Sequence, residues 1–128
     1  MQGKFHTTCE GLAVHGPSMG LMYLASPLTH ADPLVRFSRQ YQARRHTKWL
    51  IKKGVNVFSP IAYTAAIGLN DLPFDWNYWG RMCLEQVAAA QAVLVLMIPG
   101  WDTSVGVTAE IAHARKLRKP VWYLQPLE

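Results

Sequence analysis

The chain has 128 residues and a formal net charge of +5; half of its residues are hydrophobic and 16% are charged. That length holds one domain with a real core and leaves no room for two, and the composition excludes a disordered chain. The longest apolar stretch, residues 87–98, is broken by Gln91 and is too short to span a bilayer, so no membrane association is expected.

Residues 1–20 (MQGKFHTTCEGLAVHGPSMG) show neither helical nor strand periodicity and are expected to form a loose tail before a single domain at 21–128. His6 and His15 there are not expected to be ligands. Cys9 and Cys83 lack metal-ligand spacing, and no secretory pattern accompanies them; both are predicted to be reduced thiols in a cytoplasmic protein. LMYLAS (21–26) predicts a short strand ending at Pro27, followed by a loop with two prolines. Residues 34–53 predict a helix stopped by Gly54. Its basic run RRHTKWLIKK (44–53) is either an anionic-ligand patch or the solvated face of a helix whose last-turn lysines suit the helix dipole. No nucleic-acid-binding motif accompanies it, so no nucleic-acid partner is expected.

VNVFSP (55–60) predicts a second strand stopped by Pro60, and residues 61–73 have no clear assignment beyond a short helical piece. Residues 74–90 predict a helix with Asp75 at its N-cap. AVLVLMI (92–98) is apolar throughout, as a parallel strand covered on both faces should be. Residues 107–117 predict a helix and PVWYLQ (120–125) a last strand. Strands alternating with helices predict an α/β fold: a doubly wound parallel sheet of four or five strands with helices on both faces. With strand order 2-1-3-4, the topological switch lies between the first and third strands, where ligands bind in such sheets. The loops there are SPLTHADP and PGWDTSVG.

Glu110 stands at the edge of the apolar stripe Val107, Ile111, Ala114, Leu117 and in the predicted first turn of its helix. It either complements the helix dipole or serves chemistry. Ser104 and Gly106 precede free helical N–H groups, and Gly106 would let the backbone approach a ligand, as in loops that cradle a phosphate or a sugar hydroxyl. No Walker loop and no G-x-G-x-x-G follow the first strand, which disfavours a standard dinucleotide site. Trp101 lies in the same loop, where it either stacks on a base or packs; Trp76 and Trp79 carry the same two readings, with packing favoured. His30, after the first strand, either meets a phosphate or is a surface histidine, and His113 is expected to face solvent.

YLASPL (23–28) resembles the YLAGP-type first strand of the nucleoside 2-deoxyribosyltransferase superfamily. GWDTSVGVTAE followed by IAHARKLRKPVWYL (100–124) is similar to the segment around that family's catalytic glutamate. The likeness spans residues 21–125 and lies nearest a small bacterial branch of unassigned function that shares FDW…W before the third strand. It implies a flavodoxin-like fold and N-glycosidic bond cleavage or transfer on a nucleoside or nucleotide. Glu110 would be the nucleophile, kept ionised with help from the helix N-terminus, and would form a covalent glycosyl intermediate. Tyr23 matches a tyrosine near the sugar and nucleophile; Ser26 and Pro27 match the Gly-Pro after the first strand. Ser104, six positions before Glu110, and Gly106 match residues that contact the 5′-phosphate in the superfamily's deoxynucleotide hydrolases. The family's helix aspartate falls on Cys83, and Gln91 replaces a second aspartate; a thiol is a poor acid, so Asp75 is the alternative proton donor. No metal or cofactor is expected, and a homodimer or larger homo-oligomer is implied. The other reading is a non-catalytic nucleotide-binding or sensing domain.

Overall fold

The computed structural model describes residues 4–7, 20–68 and 71–128. Its strands are β1 (Lys4–Thr7), β2 (Met22–Ala25), β3 (Val57–Phe58), β4 (Ala92–Leu96) and β5 (Val121–Leu124). Its helices are α1 (Pro33–Lys52), α2 (Pro60–Ile67), α3 (Trp76–Ala89) and α4 (Val105–Lys116). Every strand pairing is parallel, in the order β1-β5-β4-β2-β3. From β2 onward this is the predicted 2-1-3-4 order. The fold is the expected α/β doubly wound, flavodoxin-like sheet.

The alternation of side chains along buried strands builds two cores. Met22, Leu24, Ala92, Leu94 and Leu96 point to one face and pack with Leu50 of α1. Tyr23, Ala25, Val93 and Val95 point to the other and pack with Cys83 and Val87 of α3 and Val107 and Ala114 of α4. β2 and β4 are buried at every residue, which is why they carry no polar alternation. Each fully buried leucine or valine contributes about 1.5–3 kcal/mol of transfer free energy.

Two expectations are corrected. Lys4–Thr7 forms an edge strand beside β5, so the segment expected to be a loose tail holds a regular element. Cys9, His15 and the rest of residues 1–3 and 8–19 lie outside the described residues, as does the side chain of His6. The predicted strand 55–60 shrinks to Val57–Phe58, because Pro60 opens α2 instead of stopping a strand. Ser59 caps that helix, accepting from the Ala62 amide at 3.0 Å.

α1 begins at Asp32, whose carboxylate accepts from the Leu34 amide at 2.9 Å, with Pro33 next. It ends where Gly54 N–H bonds the Ile51 carbonyl and Val55 N–H the Leu50 carbonyl. The basic run is divided. Arg44, Lys48 and Lys52 are exposed, as a solvated face requires. Arg45 and His46 instead hold the C-terminal segment: Arg45 Nη2 donates to the Glu128 carbonyl at 2.8 Å, and the Leu127 amide donates to His46 Nε2 at 2.9 Å. Among the described residues no helix is long and apolar enough to cross a membrane.

Candidate active site

β2 and β4 are hydrogen-bonded neighbours, and the helices that follow them lie on opposite faces of the sheet. The chain must separate at their carboxyl ends, and a cavity of about 410 Å³ opens there. One wall is Ser26, Leu28 and Thr29, after β2; the facing wall is Thr103, Ser104 and Gly106, after β4. The first turns of three helices complete it, with Pro60 and Ile61 of α2, Trp76 and Asn77 of α3, and Val105 and Gly106 of α4. No lysine, arginine or histidine lines it among the described residues. The positive contribution comes from converging helix N-termini, which favour a ligand carrying negative charge or oxygen acceptors.

Glu110 forms the floor. α4 starts two residues earlier than predicted, because Ser104 caps it through a 3.2 Å bond from the Val107 amide to Ser104 Oγ. Glu110 is therefore the sixth helical residue and not a first-turn residue. It also lies within the buried stripe Val107, Glu110, Ala114 and not at its edge. The dipole is weak at that depth. The helix N-terminus does not hold the carboxyl ionised as expected: burial pushes its pKa up to about 8, against the opposing pull of the Tyr23 hydrogen bond.

Tyr23, on the same face from β2, donates its hydroxyl to Glu110 Oε2. Burial, and after it the charge of Glu110, raises the phenol well above its ordinary range, so Tyr23 stays a donor. Cys83 of α3 is the third member of this buried group. Burial pushes its thiol up to about 11, with Tyr23 opposing and Glu110 adding to the rise. Near pH 7 it remains a neutral thiol, neither a nucleophile nor a useful acid.

Ser26 is 6% exposed, lines the cavity, and its Oγ has no hydrogen-bond partner among the described residues. A buried hydroxyl left unpaired costs about 1–3 kcal/mol, which a ligand's polar group would recover. Asp75 is exposed at the cavity rim; it occupies the N-cap position of α3 but makes no side-chain cap bond, so its carboxylate is free of that task. Gly106 lines the cavity, yet its missing side chain serves Trp76: a Cβ there would stand 3.0 Å from the indole. Trp76 is thus both packing and cavity wall. Trp79 lines the cavity too, its Nε1 donating to the Pro73 carbonyl at 2.7 Å.

Pro27 and Trp101 do not line the cavity. Pro27 is buried beneath the loop. Trp101 lies edge-on to Tyr123, with ring centroids 5.6 Å apart, so it packs and does not stack over the site. His30 accepts from the Asp32 amide in an exposed turn and also stays outside. The short helical piece expected in residues 61–73 is α2, but sequence reasoning did not place it at the site, where its Ile61 and Thr64 form a wall, nor Met82 of α3. The signal for α2 was Ser59-Pro60, a cap residue followed by proline at the first helical position. Among the described residues, no group of three or more His, Cys, Asp or Glu could hold a metal ion.

A family profile described as "Domain of unknown function (DUF1937)" matches residues 20–125. No functionally curated protein matches the chain. Among solved structures, the chain is similar to a 2-deoxyribosyltransferase from Bacillus psychrosaccharolyticus, at 22% identity and a TM-score of 0.59, over 83% of this chain and 72% of that one. At that identity the likeness establishes the fold.

Proposed function

The chain belongs to the DUF1937 family, and from that premise we propose that it cleaves or transfers the N-glycosidic bond of a nucleoside or nucleotide through a covalent glycosyl–Glu110 intermediate. The observation that carries this reading is the Tyr23–Glu110 pair, buried at the floor of the switch-point cavity. A structural role does not explain a carboxyl within the apolar face of α4, because burying it is costly. The structural likeness to a 2-deoxyribosyltransferase points the same way.

In the first step an ionised Glu110 oxygen attacks C1′, and the electron pair of the C1′–N bond leaves with the base. Asp75, at the rim, would relay from solvent the proton the base takes up. In the second step water or an acceptor base attacks C1′, its proton is released, and Glu110 departs as a carboxylate. Tyr23 holds the attacking oxygen in place. Ser26 and Ser104 would bind sugar or phosphate oxygens, and the three helix N-termini would favour a phosphate.

The second reading is a nucleotide-binding or sensing domain without turnover. One observation favours it: burial keeps Glu110 largely protonated at neutral pH, so little negative charge stands there to repel a phosphate. Incubation with deoxynucleosides, ribonucleosides, their 5′-monophosphates and NAD, followed by chromatography for free base, separates the two. Base release lost in Glu110→Gln, with a glycosyl adduct on intact protein by mass spectrometry, is expected. Nucleotide binding without release from any substrate would leave the sensor reading.

A further inference from the structure

One side chain of α1 reaches back between the two loops that wall the cavity. Arg39 Nη1 donates to the Thr29 carbonyl at 2.8 Å, in the loop after β2. Arg39 Nη2 donates to the Pro99 carbonyl at 3.3 Å, in the loop after β4. Between β2 and β4 the sheet ladder ends at Ala25 and Val95. Beyond that pair the two loops diverge, and Arg39 rejoins them from the side of the sheet opposite Glu110. It lines a second hollow there, of about 370 Å³, and is not part of the cavity wall.

The neighbouring backbone is shaped to this contact. Gly100 has φ 96°, and a Cβ on it would stand 2.2 Å from Arg39 Nη2. The guanidinium therefore lies directly on the Gly100 backbone. Among the described residues Arg39 takes part in no ion pair, so its donors serve carbonyls and not a counter-charge. A planar fork can bond two acceptors in a fixed direction, which a lysine's single ammonium does poorly.

We propose that Arg39 is a positioning residue that clamps the loop carrying Ser26 and Thr29 to the loop leading into Ser104, and so sets the width of the substrate cavity above Glu110. Its kinetic consequence rests on the glycosidic reading; the clamp itself does not. Misplacement by about 1 Å costs on the order of 100-fold in rate. Loss of a clamp that acts on the transition state should lower kcat and leave KM nearly unchanged.

The test uses Arg39→Met, Arg39→Lys and Gly100→Ala, the last unseating the guanidinium without altering it. Amide hydrogen exchange is followed in residues 26–29 and 98–104, with β5 as the internal reference. Arg39→Met should raise exchange in both loops by roughly tenfold or more while β5 is unchanged. Where base release is measurable, kcat should fall about 10- to 100-fold with KM within about threefold. Arg39→Lys should recover part of the loss, and Gly100→Ala should reproduce it. Unchanged loop exchange in Arg39→Met, a rise equally large in β5, or loosened loops with wild-type kcat each overturn the proposal. If wild-type protein releases no base, the glycosidic reading fails alone and the exchange pattern still decides the clamp. Arg39→Lys keeps the comparison open should Arg39→Met not fold.

Discussion

Tyr23 and Glu110 stand 87 positions apart in the chain and meet through one hydrogen bond, from the phenol to Oε2 of the carboxyl. One comes from the middle of β2, the other from the second turn of α4, and both belong to the face packed under α3 and α4. The bond favours the ionised carboxyl, while burial opposes it. Tyr23 is thus the group that brings Glu110 toward the charge state a nucleophile needs.

Tyr23→Phe removes the donor and keeps the ring. A hydrogen bond to a charged group contributes about 1.5–3 kcal/mol, so base release near pH 7 should fall about 10- to 100-fold. Because the lost bond is one that lowers the Glu110 pKa, the pH–rate limb should also move upward, and part of the loss should return near pH 9. A uniform loss across the whole pH range would show that the phenol acts in some other way.

Glu110 links activity and stability to pH with opposite signs. The nucleophile is active when ionised, so kcat/KM should climb with pH, reach half its plateau near 8 and level off about one unit higher. Stability runs the other way. The folded pKa is raised to about 8 above an ordinary value of 4.5, so the unfolded chain loses its proton first as pH rises. The protonated carboxyl's contribution is complete below pH 4.5 and is lost as pH rises through 8. Glu110→Gln should therefore be more stable than wild type at pH 8, by on the order of 2–4 kcal/mol, with the gap closing toward pH 5. Urea midpoints at the two pH values check it, and a gap independent of pH would remove the carboxyl's titration as the cause.

The frame of this fold is written in short-range chemistry. β2 and β4 announce themselves by unbroken apolar runs, and the end of α1 by Gly54; its start at Asp32-Pro33 reads as loop from the sequence. The site is only half written. Glu110, Ser104 and Gly106 share one helix start, so their nearness follows from spacing along the chain. Tyr23 joins them because alternation on β2 aims it at the α4 face. Burial was not legible: the sequence pattern put Glu110 at a stripe's edge, and only the crossing of α3 over α4 closes water away from it. Trp76 makes that crossing tight by lying on Gly106, a contact between residues 30 positions apart that no local pattern encodes. Trp101 misled for the same reason, since its partner Tyr123 lies on another strand.

His46 supplies an acid-side titration independent of the site. It is fully buried, accepts from the Leu127 amide at Nε2 and therefore carries its proton on Nδ1, toward the Gln42 carbonyl at 2.8 Å. Protonating Nε2 would set a donor against a donor. Burial lowers its pKa from 6.5, with the Gln42 carbonyl opposing and nearby Arg45 adding to the drop. The stability this brings is present above pH 6.5 and is lost as pH falls toward the folded pKa. Glu110 titrates in an overlapping window with the opposite slope, so the measurement belongs in a Glu110→Gln background. There, unfolding free energy should fall between pH 7.5 and 5.5, with a limiting slope of about 1.4 kcal/mol per pH unit for one proton. Adding His46→Gln should lower stability at pH 7.5 and flatten that slope. The first loosening on acidification should be at residues 125–128, which hydrogen exchange reads directly; parallel pH curves for the two proteins would take His46 out of the account.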